Sequence, residues 1–419
     1  MAETQPAQAG PGRWLTSEVW LISLSAFCAD LGYQAVLAVF PLFLVLSLHA
    51  PVVLFGVATA VAYGPGALVA YLGGRIGDRV GRRRTAIWGN AFIPLLSLIG
   101  LAAAPLEAIV LLALGWWARS FRSAPRRAML TEAVEPVNYG RAFGFLHALD
   151  VGGGALAALY ALLLVSLLVS YRVILLVTLV PLVVSTILLP FVRRGLTPAP
   201  AADGRSAARA GTPARAATGA APPPADLAVY RGVLLAAALY GFSSYSAGFP
   251  ILTIAQSTGS PAAGVLAYFV LLAVSSLVGL IAGPWARQAV RNLSLLGYLA
   301  AAVGSAAIGA AYALHWGVAG LYPGMALLGL GLGVVETLEP TLVARLAPQA
   351  RASGALGSLT AARSVGLFTG NIVLGLLYHF GPAYSYGYAT VLGMVAAAVL
   401  LVVGARARGL APAAGPVGA

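Results

Sequence analysis

The stretch GGRIGDRVGRRR, from Gly73 to Arg84, contains one carboxylate and five arginines, whereas the whole chain of 419 residues is 60% hydrophobic and only 9% charged. Soluble domains carry about 25% charged residues, because their surface faces water. The composition therefore predicts a protein that lies in lipid. The formal net charge of +13 does not indicate a nucleic-acid partner, because the basic residues lie between apolar runs rather than on a water-exposed face.

The charged stretch separates two apolar runs that are long enough to cross a hydrocarbon core of about 30 Å. A lipid-facing backbone has to satisfy its own hydrogen bonds, so each such run is predicted to be a helix. The chain contains twelve of these runs, called spans 1 to 12 in chain order. They cover residues 17–46, 52–73, 85–104, 108–130, 142–168, 173–192, 230–254, 262–284, 293–314, 318–344, 353–378 and 384–405.

The distribution of arginine predicts the orientation of these spans. Twelve spans place both termini on the same side of the membrane. If that side is the cytoplasm, the inside segments hold 21 of the 25 basic residues, all of them arginine, and the outside loops hold only Arg172. Cytoplasmic loops carry such an excess of basic residues. We therefore predict a multi-pass protein of the cell (inner, cytoplasmic) membrane with both termini in the cytoplasm.

A segment rich in proline and alanine divides the chain. Residues 195–228 contain six prolines, thirteen alanines and no aromatic residue, a composition that cannot bury a core. The sequence therefore predicts an N-terminal six-helix bundle over residues 1–194, a flexible cytoplasmic linker over residues 195–228, and a C-terminal six-helix bundle over residues 229–419.

The two predicted bundles resemble each other at matched positions. Span 1 contains AVFPLFL and span 7 contains AGFPILT, so that Pro41 corresponds to Pro250. Spans 5 and 11 align with Asp150 opposite Arg363. Two six-helix repeats are typical of a transporter whose halves rock about a central substrate site. The predicted fold class is therefore an all-α membrane protein of twelve helices in two pseudo-symmetric six-helix bundles.

The opening stretch resembles the loop 2–3 signature of the major facilitator superfamily, G-x-x-x-D-R-x-G-R-R/K, and it lies between spans 2 and 3, as in that family. The resemblance implies a gate in which Asp78 lies against the N-terminal end of helix 11, near Ser353, where free N–H groups favour an anion. The alternative interpretation is that the arginines only anchor the topology. The predicted gating residues are Gly74, Asp78, Arg79, Gly81 and Arg82.

A second resemblance lies at the end of span 4. The segment RSFRSAPRRAMLTE resembles an R-x-x-P-R-D-A-L pattern of a poorly characterised prokaryotic branch of the superfamily, with matches at Arg122, Pro125, Arg126 and Ala128. Arg127 stands where that pattern has an acid. No role of that acid is therefore carried over to this chain.

Charged residues inside the spans are the strongest candidates for function, because each costs about 2.5–3.5 kcal/mol at a helix centre. Such residues have to pair, face the bundle interior or line water. Depth along the helices predicts a pair of Arg122 with Asp150. In the second half it predicts a pair of Glu336 with Arg363. Both pairs are open to two interpretations, as structural or gating ion pairs and as direct substrate contacts. The remaining charges, without an obvious partner, are Asp30, Arg119 and Glu339.

The resemblance also implies that spans 1, 4, 7 and 10 line a central cavity. A buried carboxylate without a fixed cationic partner favours its protonated form and can carry a proton. The alternative for Asp30 is a hydrogen bond to a Ser or Tyr of a neighbouring helix. The predicted proton-coupling residues are Asp30, Glu336, Glu339, Asp150 and His147. The predicted substrate-binding residues are Tyr33, Gln34, Arg119, Arg122, Tyr240, Ser244, Tyr245 and Arg363.

The motif inventory excludes the familiar enzyme classes. The chain has no lysine and hence no lysine-containing phosphate loop, and it has no Gly-x-Ser-x-Gly or His-Glu-x-x-His pattern. We therefore predict no enzyme activity, no cofactor and no metal site.

These observations together predict a secondary active transporter that works by alternating access. The predicted activity is proton-coupled export of a small amphipathic or zwitterionic organic molecule. The partners are then the substrate, protons and the lipid bilayer, with no nucleic acid, and we expect a monomer. Two alternatives stay open, namely uptake of a metabolite or metal chelate, and a non-transporting membrane sensor on the same scaffold.

Overall fold

The computed structural model describes residues 15–134, 139–192, 224–282, 285, 288–346 and 352–409, and these residues contain helices and turns but no strand. The spans of the first half are Ser17–Leu42 continued by Phe43–Ser47, Val52–Tyr63 with Gly66–Val80, Arg82–Phe92 continued by Ile93–Leu101, Pro105–Glu132, Tyr139–Ser166, and Tyr171–Val177 with Leu179–Leu188 and Leu189–Phe191. The spans of the second half are Pro224–Ser243 with Gly248–Thr258, Pro261–Ile281, Ala289–Asn292 continued by Leu293–Leu299 and Ala300–Ala313, Val318–Leu346, Ala352–Phe380 and Pro382–Gly409.

The predicted all-α membrane fold of twelve helices is confirmed. Eleven helical segments among the described residues are long and apolar enough to cross a membrane. The remaining span, Pro105–Glu132, has 28 residues with four arginines in its second half, and it packs against spans 2 and 3 within the same bundle. At about 1.5 Å per residue it is nonetheless long enough to cross.

The halves contact each other through spans 2 and 11, spans 5 and 8, and spans 1 and 7. Each half also has an apolar core of its own. The helix of span 7 begins at Pro224, so it includes the last five residues of the predicted linker. The other residues of that predicted linker lie outside the described residues.

A single glycine separates the helices of spans 2 and 3. Gly81 has a φ of 109°, a backbone conformation that residues with a side chain rarely adopt. The helix of span 2 ends at Val80, and the helix of span 3 begins at Arg82. The stretch GGRIGDRVGRRR is therefore helical on both sides of one turn residue. The sequence predicts a longer loop there, because the charged residues between spans 2 and 3 interrupt the apolar runs that predict helices.

Aromatic side chains seal the two halves against each other at the end opposite the termini. Phe55 of span 2 packs edge-on against Phe249 of span 7, with ring centres 5.0 Å apart. Phe55 also contacts Phe40 of span 1, at a ring-centre distance of 6.1 Å. These three side chains are at most 1% exposed. The described structure is therefore closed at this end.

Glycines allow spans 2 and 11 to touch in the sealed region. A Cβ atom at Gly56 would lie 2.6 Å from the carbonyl oxygen of Asn371 and 2.9 Å from the Cα atom of Gly375. Both distances are shorter than a non-bonded contact permits, and both partner atoms belong to the backbone. A larger residue at this position therefore has to push the two halves apart.

We expect Gly56→Val to shift the protein away from this closed arrangement. Overpacking typically costs 1–3 kcal/mol, which moves a two-state equilibrium roughly 5- to 150-fold. The measurement is the rate at which a membrane-impermeant maleimide labels Ser244→Cys from the sealed side, in a Cys28→Ser background. Labelling as slow as in the Gly56 parent would contradict the assigned seal. The control is Gly387→Val, at a helical position of span 12 where a Cβ meets no atom within 4 Å.

Candidate functional site

A cavity of about 640 Å³ lies between the two halves. Its lining reaches Arg127 and Gly279, near the ends of spans 4 and 8, so it opens toward the end of the bundle that carries the termini. Residues of both halves contribute side chains. The ionisable carboxyl and guanidinium groups in the described lining belong to Asp30, Arg119, Arg127, Asp150, Glu336 and Arg363.

Span 7 is broken where it passes the cavity. Its helix stops at Ser243 and resumes at Gly248. The N–H of Ser246 in this break donates to the side-chain oxygen of Asn371 at 2.9 Å. The same oxygen accepts from Thr59 of the opposite half at 3.1 Å. Non-helical backbone at membrane depth is tolerated where protein satisfies it or water reaches it, so Asn371 stabilises both the break and the contact between the halves.

Tyr33 connects Asp30 to Arg119 on the N-terminal wall of the cavity. Its hydroxyl donates to Oδ1 of Asp30 and accepts from Nη2 of Arg119 at 3.1 Å. Asp30 is 4% exposed, and its Oδ2 has no hydrogen-bond partner. One alternative from the sequence was that Asp30 is hydrogen-bonded to a Ser or Tyr of a neighbouring helix. In the structure its partner is a tyrosine, but that tyrosine lies one turn along the same helix.

The predicted pair of Arg122 with Asp150 is wrong. Oδ2 of Asp150 lies 3.3 Å from Nη2 of Arg126 instead. Arg122 is 1% exposed, donates to the side chain of Asn90 in span 3 and does not line the cavity. Depth along a helix does not determine which neighbour a side chain faces, and here the side chain that reaches Asp150 of span 5 is Arg126 rather than Arg122. The predicted substrate contact of Arg122 is therefore not part of the site.

Arg363 lies between two carboxylates on the C-terminal wall. Its Nη1 is 3.0 Å from Oε1 of Glu336 and 3.1 Å from Oε2 of Glu339. The predicted pair of Glu336 with Arg363 is confirmed. The two acids differ in accessibility, because the Glu336 side chain is 54% exposed and lines the cavity, whereas Glu339 is fully buried and does not. Glu339 also accepts from the hydroxyl of Tyr298 at 2.5 Å.

The neutral residues predicted for the site do line the cavity, namely Gln34, Tyr240, Ser244 and Tyr245. Oε1 of Gln34 accepts from the hydroxyl of Tyr268 at 2.7 Å, which joins span 1 to span 8 across the cavity. Tyr240 stacks on Tyr298 with ring centres 4.4 Å apart. The hydroxyl of Tyr245 is hydrogen-bonded to Ser305 at 2.9 Å.

Several lining or supporting residues were missed by the sequence analysis, which considered mainly charged side chains. Tyr63, Trp116 and Tyr268 line the cavity, and Asn371 supports it. Asn371 could have been noticed, because an amide inside an apolar span needs internal partners. The aromatic residues carry no such signal, because Tyr and Trp also serve as interface anchors at the ends of membrane spans.

The predicted gating residues lie at the end of the bundle with the termini. Arg82 pairs with Glu132 of span 4 at 2.8 Å, with both side chains partly exposed. Arg79 is exposed, and Gly74 packs near span 4. The side chains of Asp78, Ser353 and His147 lie outside the described residues, so the gate of Asp78 and the proton role of His147 stay predictions. No group of three or more side chains suited to a metal occurs in the described part of the chain.

The chain resembles known transporters in sequence. The family profile described as Major Facilitator Superfamily matches residues 22–370. An uncharacterized MFS-type transporter of Methanocaldococcus jannaschii is 22% identical over 404 residues, which cover 93% of this chain and 96% of that protein.

Solved transporter structures share the fold at low sequence identity. The POT family transporter PepTSo superposes with a TM-score of 0.73 at 14% identity, over 94% of this chain and 98% of that one. The D-xylose–proton symporter gives a TM-score of 0.71 at 15% identity, over 92% and 97% of the two chains. The nucleoside transporter NupG gives a TM-score of 0.70 at 11% identity, over 93% and 100%. At these identities the likeness concerns the fold alone.

Proposed function

The chain belongs to the Major Facilitator Superfamily and is a transporter that works by alternating access, not an enzyme, and on this premise we propose that it exports a small amphipathic or zwitterionic organic molecule in exchange for protons. We further propose that it is a monomer in the cell (inner, cytoplasmic) membrane with cytoplasmic termini. The excess of arginine in the segments on the side of the termini supports this orientation.

The observation that supports the substrate class is the mixture of charges and aromatic groups in the cavity. Three acids and three arginines line it together with five tyrosines, Tyr33, Tyr63, Tyr240, Tyr245 and Tyr268. A bare inorganic ion would leave one sign of charge and the aromatic surface unused. A small organic molecule with polar or charged groups and an apolar remainder uses all of them.

Two acids support proton exchange. Glu336 is accessible from the cavity, and Asp30 has one carboxylate oxygen without a hydrogen-bond partner. One oxygen of Glu336 accepts from Arg363, while the side chain remains 54% exposed to the cavity. A cationic group of the substrate and a proton would compete for this carboxylate, and such competition is what exchange requires. Asp30, with its unpartnered Oδ2, offers a second position for a proton on the opposite wall.

The side from which the cavity is accessible identifies the state of the transport cycle, through which export and uptake both pass. The described state is open toward the end that carries the termini and sealed at the other end by Phe55 and Phe249. If the termini are cytoplasmic, an exporter loads its substrate in this state. An exporter then releases the substrate after the halves rock and the seal opens.

Uptake of a metabolite or metal chelate is the second candidate, and the link from Arg119 through Tyr33 to Asp30 favours it. A substrate anion at Arg119 would weaken the stabilisation of the ionised Asp30, so substrate and proton would bind together. Binding calorimetry in buffers of different ionisation enthalpy separates the candidates. Proton release on substrate binding supports export by exchange, and proton uptake supports co-transport.

Flux into proteoliposomes tests the proposed function. We expect substrate flux that responds to an imposed pH gradient and that runs opposite to the proton gradient. Flux in the same direction as the protons would establish uptake instead. No flux under any gradient, for a ligand that binds the purified protein, would contradict transport and favour a membrane sensor on this scaffold.

A further inference from the structure

We infer that Arg119 binds a carboxylate of the substrate, so that the transported molecules are organic carboxylates with an apolar or aromatic remainder. This inference rests on the proposed transport function in either direction, because it names the chemical class that the cavity accepts. A carboxylate at Arg119 alone favours co-transport through Tyr33 and Asp30, whereas an ammonium of the same substrate at Glu336 favours exchange. It concerns one wall of the cavity, formed by spans 1 and 4.

Arg119 differs from the other arginines of the site in its partners. Arg363 is paired with two carboxylates, and Arg126 is paired with Asp150. Arg119 forms no ion pair with any residue that the structure describes, and its Nη2 donates only to the neutral hydroxyl of Tyr33. A guanidinium has five N–H donors, and the Nε of Arg119 is buried without a partner. Donors therefore remain for a ligand.

The charges around Arg119 also favour an anion. Span 4 contributes four arginines to this wall and to the layer behind it, Arg119, Arg122, Arg126 and Arg127. The acids that act on Arg119 are Asp30 and Asp150, and Glu336 acts on Arg127 as well. Four cations against three anions leave one unmatched positive charge among these described residues. Charge inside a membrane protein is costly unless it is paired, so a carboxylate at Arg119 would reduce the cost.

The guanidinium of Arg119 is held in place before any ligand binds. Its Cζ atom lies 4.6 Å from the ring centre of Tyr33 and 4.6 Å from that of Trp116, within the range of cation–π attraction. Trp116 in turn packs edge-on against Tyr63, with ring centres 4.9 Å apart. A fixed guanidinium matches the two oxygens of a carboxylate, which a lysine ammonium does not. Less side-chain freedom is lost on binding as a result.

The rest of the cavity suits an apolar or aromatic remainder. The lining near the break in span 7 and on span 8 includes Tyr245, Pro250, Tyr268, Leu271 and Leu272. The same part of the lining also contains the serines Ser243, Ser244, Ser246, Ser275 and Ser276. The volume of about 640 Å³ lies within the range of about 300–1,000 Å³ for small-molecule sites. A molecule the size of an aromatic amino acid fits this description.

Three matched probes test the inference on the purified full-length protein. L-Phenylalanine carries an ammonium and a carboxylate, 2-phenylethylamine lacks the carboxylate, and 3-phenylpropanoate lacks the ammonium. We expect the wild-type protein to bind both carboxylates at least about 10-fold more tightly than 2-phenylethylamine, because hydrogen bonds to charged groups are worth about 1.5–3 kcal/mol. Affinities are measured by calorimetry or by the ligand-induced shift in unfolding temperature.

Variants then locate the effect. Arg119→Gln is expected to lower the affinity for both carboxylates at least about 10-fold. The affinity for 2-phenylethylamine is expected to stay within about twofold of the wild-type value. Arg127 is the other cavity-lining arginine that forms no ion pair with a residue that the structure describes. Arg127→Gln is expected to lower carboxylate affinity by a factor at least about fivefold smaller than Arg119→Gln does. If Arg119→Gln does not fold, Arg119→Lys serves instead. We expect it to lower the carboxylate affinity about threefold or more, because an ammonium lacks the planar, two-pronged donor geometry of a guanidinium.

The inference is overturned by any of three results. These are the absence of carboxylate binding by the wild-type protein, equal affinity for L-phenylalanine and 2-phenylethylamine, and equal losses in Arg119→Gln and Arg127→Gln. Its failure is distinguishable from failure of the proposed function. Carboxylate binding at Arg119 without gradient-driven flux would contradict only the transport proposal, and proton-coupled flux of a ligand without a carboxylate would contradict only the inference.

Discussion

Replacing Asp30 with asparagine is expected to abolish gradient-driven accumulation of substrate while substrate exchange continues. A one-unit pH gradient supports about a tenfold accumulation ratio for exchange with one proton, since 1.4 kcal/mol corresponds to a factor of ten. The variant is expected to reach a ratio of about one. Asparagine still accepts the hydrogen bond from Tyr33 at Oδ1, but it cannot take up a proton. Accumulation and exchange are measured in the same proteoliposomes.

The matched control for this experiment is Glu18→Gln, an acid in the first turn of the same helix. We expect it to accumulate substrate as the parent does. Asp150→Asn provides a comparison within the site, and a smaller effect is expected because Asp150 is already paired with Arg126. Normal accumulation by Asp30→Asn would show that the proton is carried elsewhere, with Glu336 the next residue to replace.

Replacing Arg363 with methionine is expected to lower the free energy of unfolding by about 3–5 kcal/mol, because removing one partner of a buried pair leaves an uncompensated charge. The charge in question is Glu339, which is fully buried and 3.1 Å from Nη1 of Arg363. The measurement is a denaturant titration in detergent micelles, followed by the fluorescence of the tryptophans.

Two further variants assign this loss to Glu339. The double variant Arg363→Met with Glu339→Gln is expected to recover most of the stability, because no buried charge remains. Glu336→Gln is expected to change stability by less than about 1 kcal/mol, because its side chain is 54% exposed and exposed pairs contribute little. An Arg363→Met protein as stable as the parent, or a double variant no better than the single one, would contradict the assigned pairing.

The fold could be predicted from the sequence because its causes are local. Each of the twelve apolar runs has to form a helix in lipid wherever it lies, and the helices begin and end within a few residues of the predicted bounds in most spans. The exceptions have specific reasons. The turn at Gly81 is shorter than the predicted loop because the helices extend through the charged stretch. The break in span 7 depends on Asn371, which is distant in sequence.

The candidate site could be predicted only in part. The cost of charge in lipid identified Asp30, Arg119, Asp150, Glu336 and Arg363 as facing the interior, and all five line the cavity. The same reasoning treated Arg122 and Glu339 alike, yet these two are buried away from the cavity. Composition and spacing indicate that a charge must face inward, but they do not distinguish a cavity wall from the packed interior of a bundle.

The sequence by itself therefore determined that the chain is a twelve-helix membrane protein of two similar halves with ionisable groups inside. Only the tertiary structure decided that Asp150 pairs with Arg126, that Tyr33 joins Asp30 to Arg119, and that Glu336 is accessible. The physical reason is that hydropathy and helical hydrogen bonding act along the chain. The partner of a side chain depends instead on rotation about the helix axis, and that rotation is fixed by packing against helices distant in sequence.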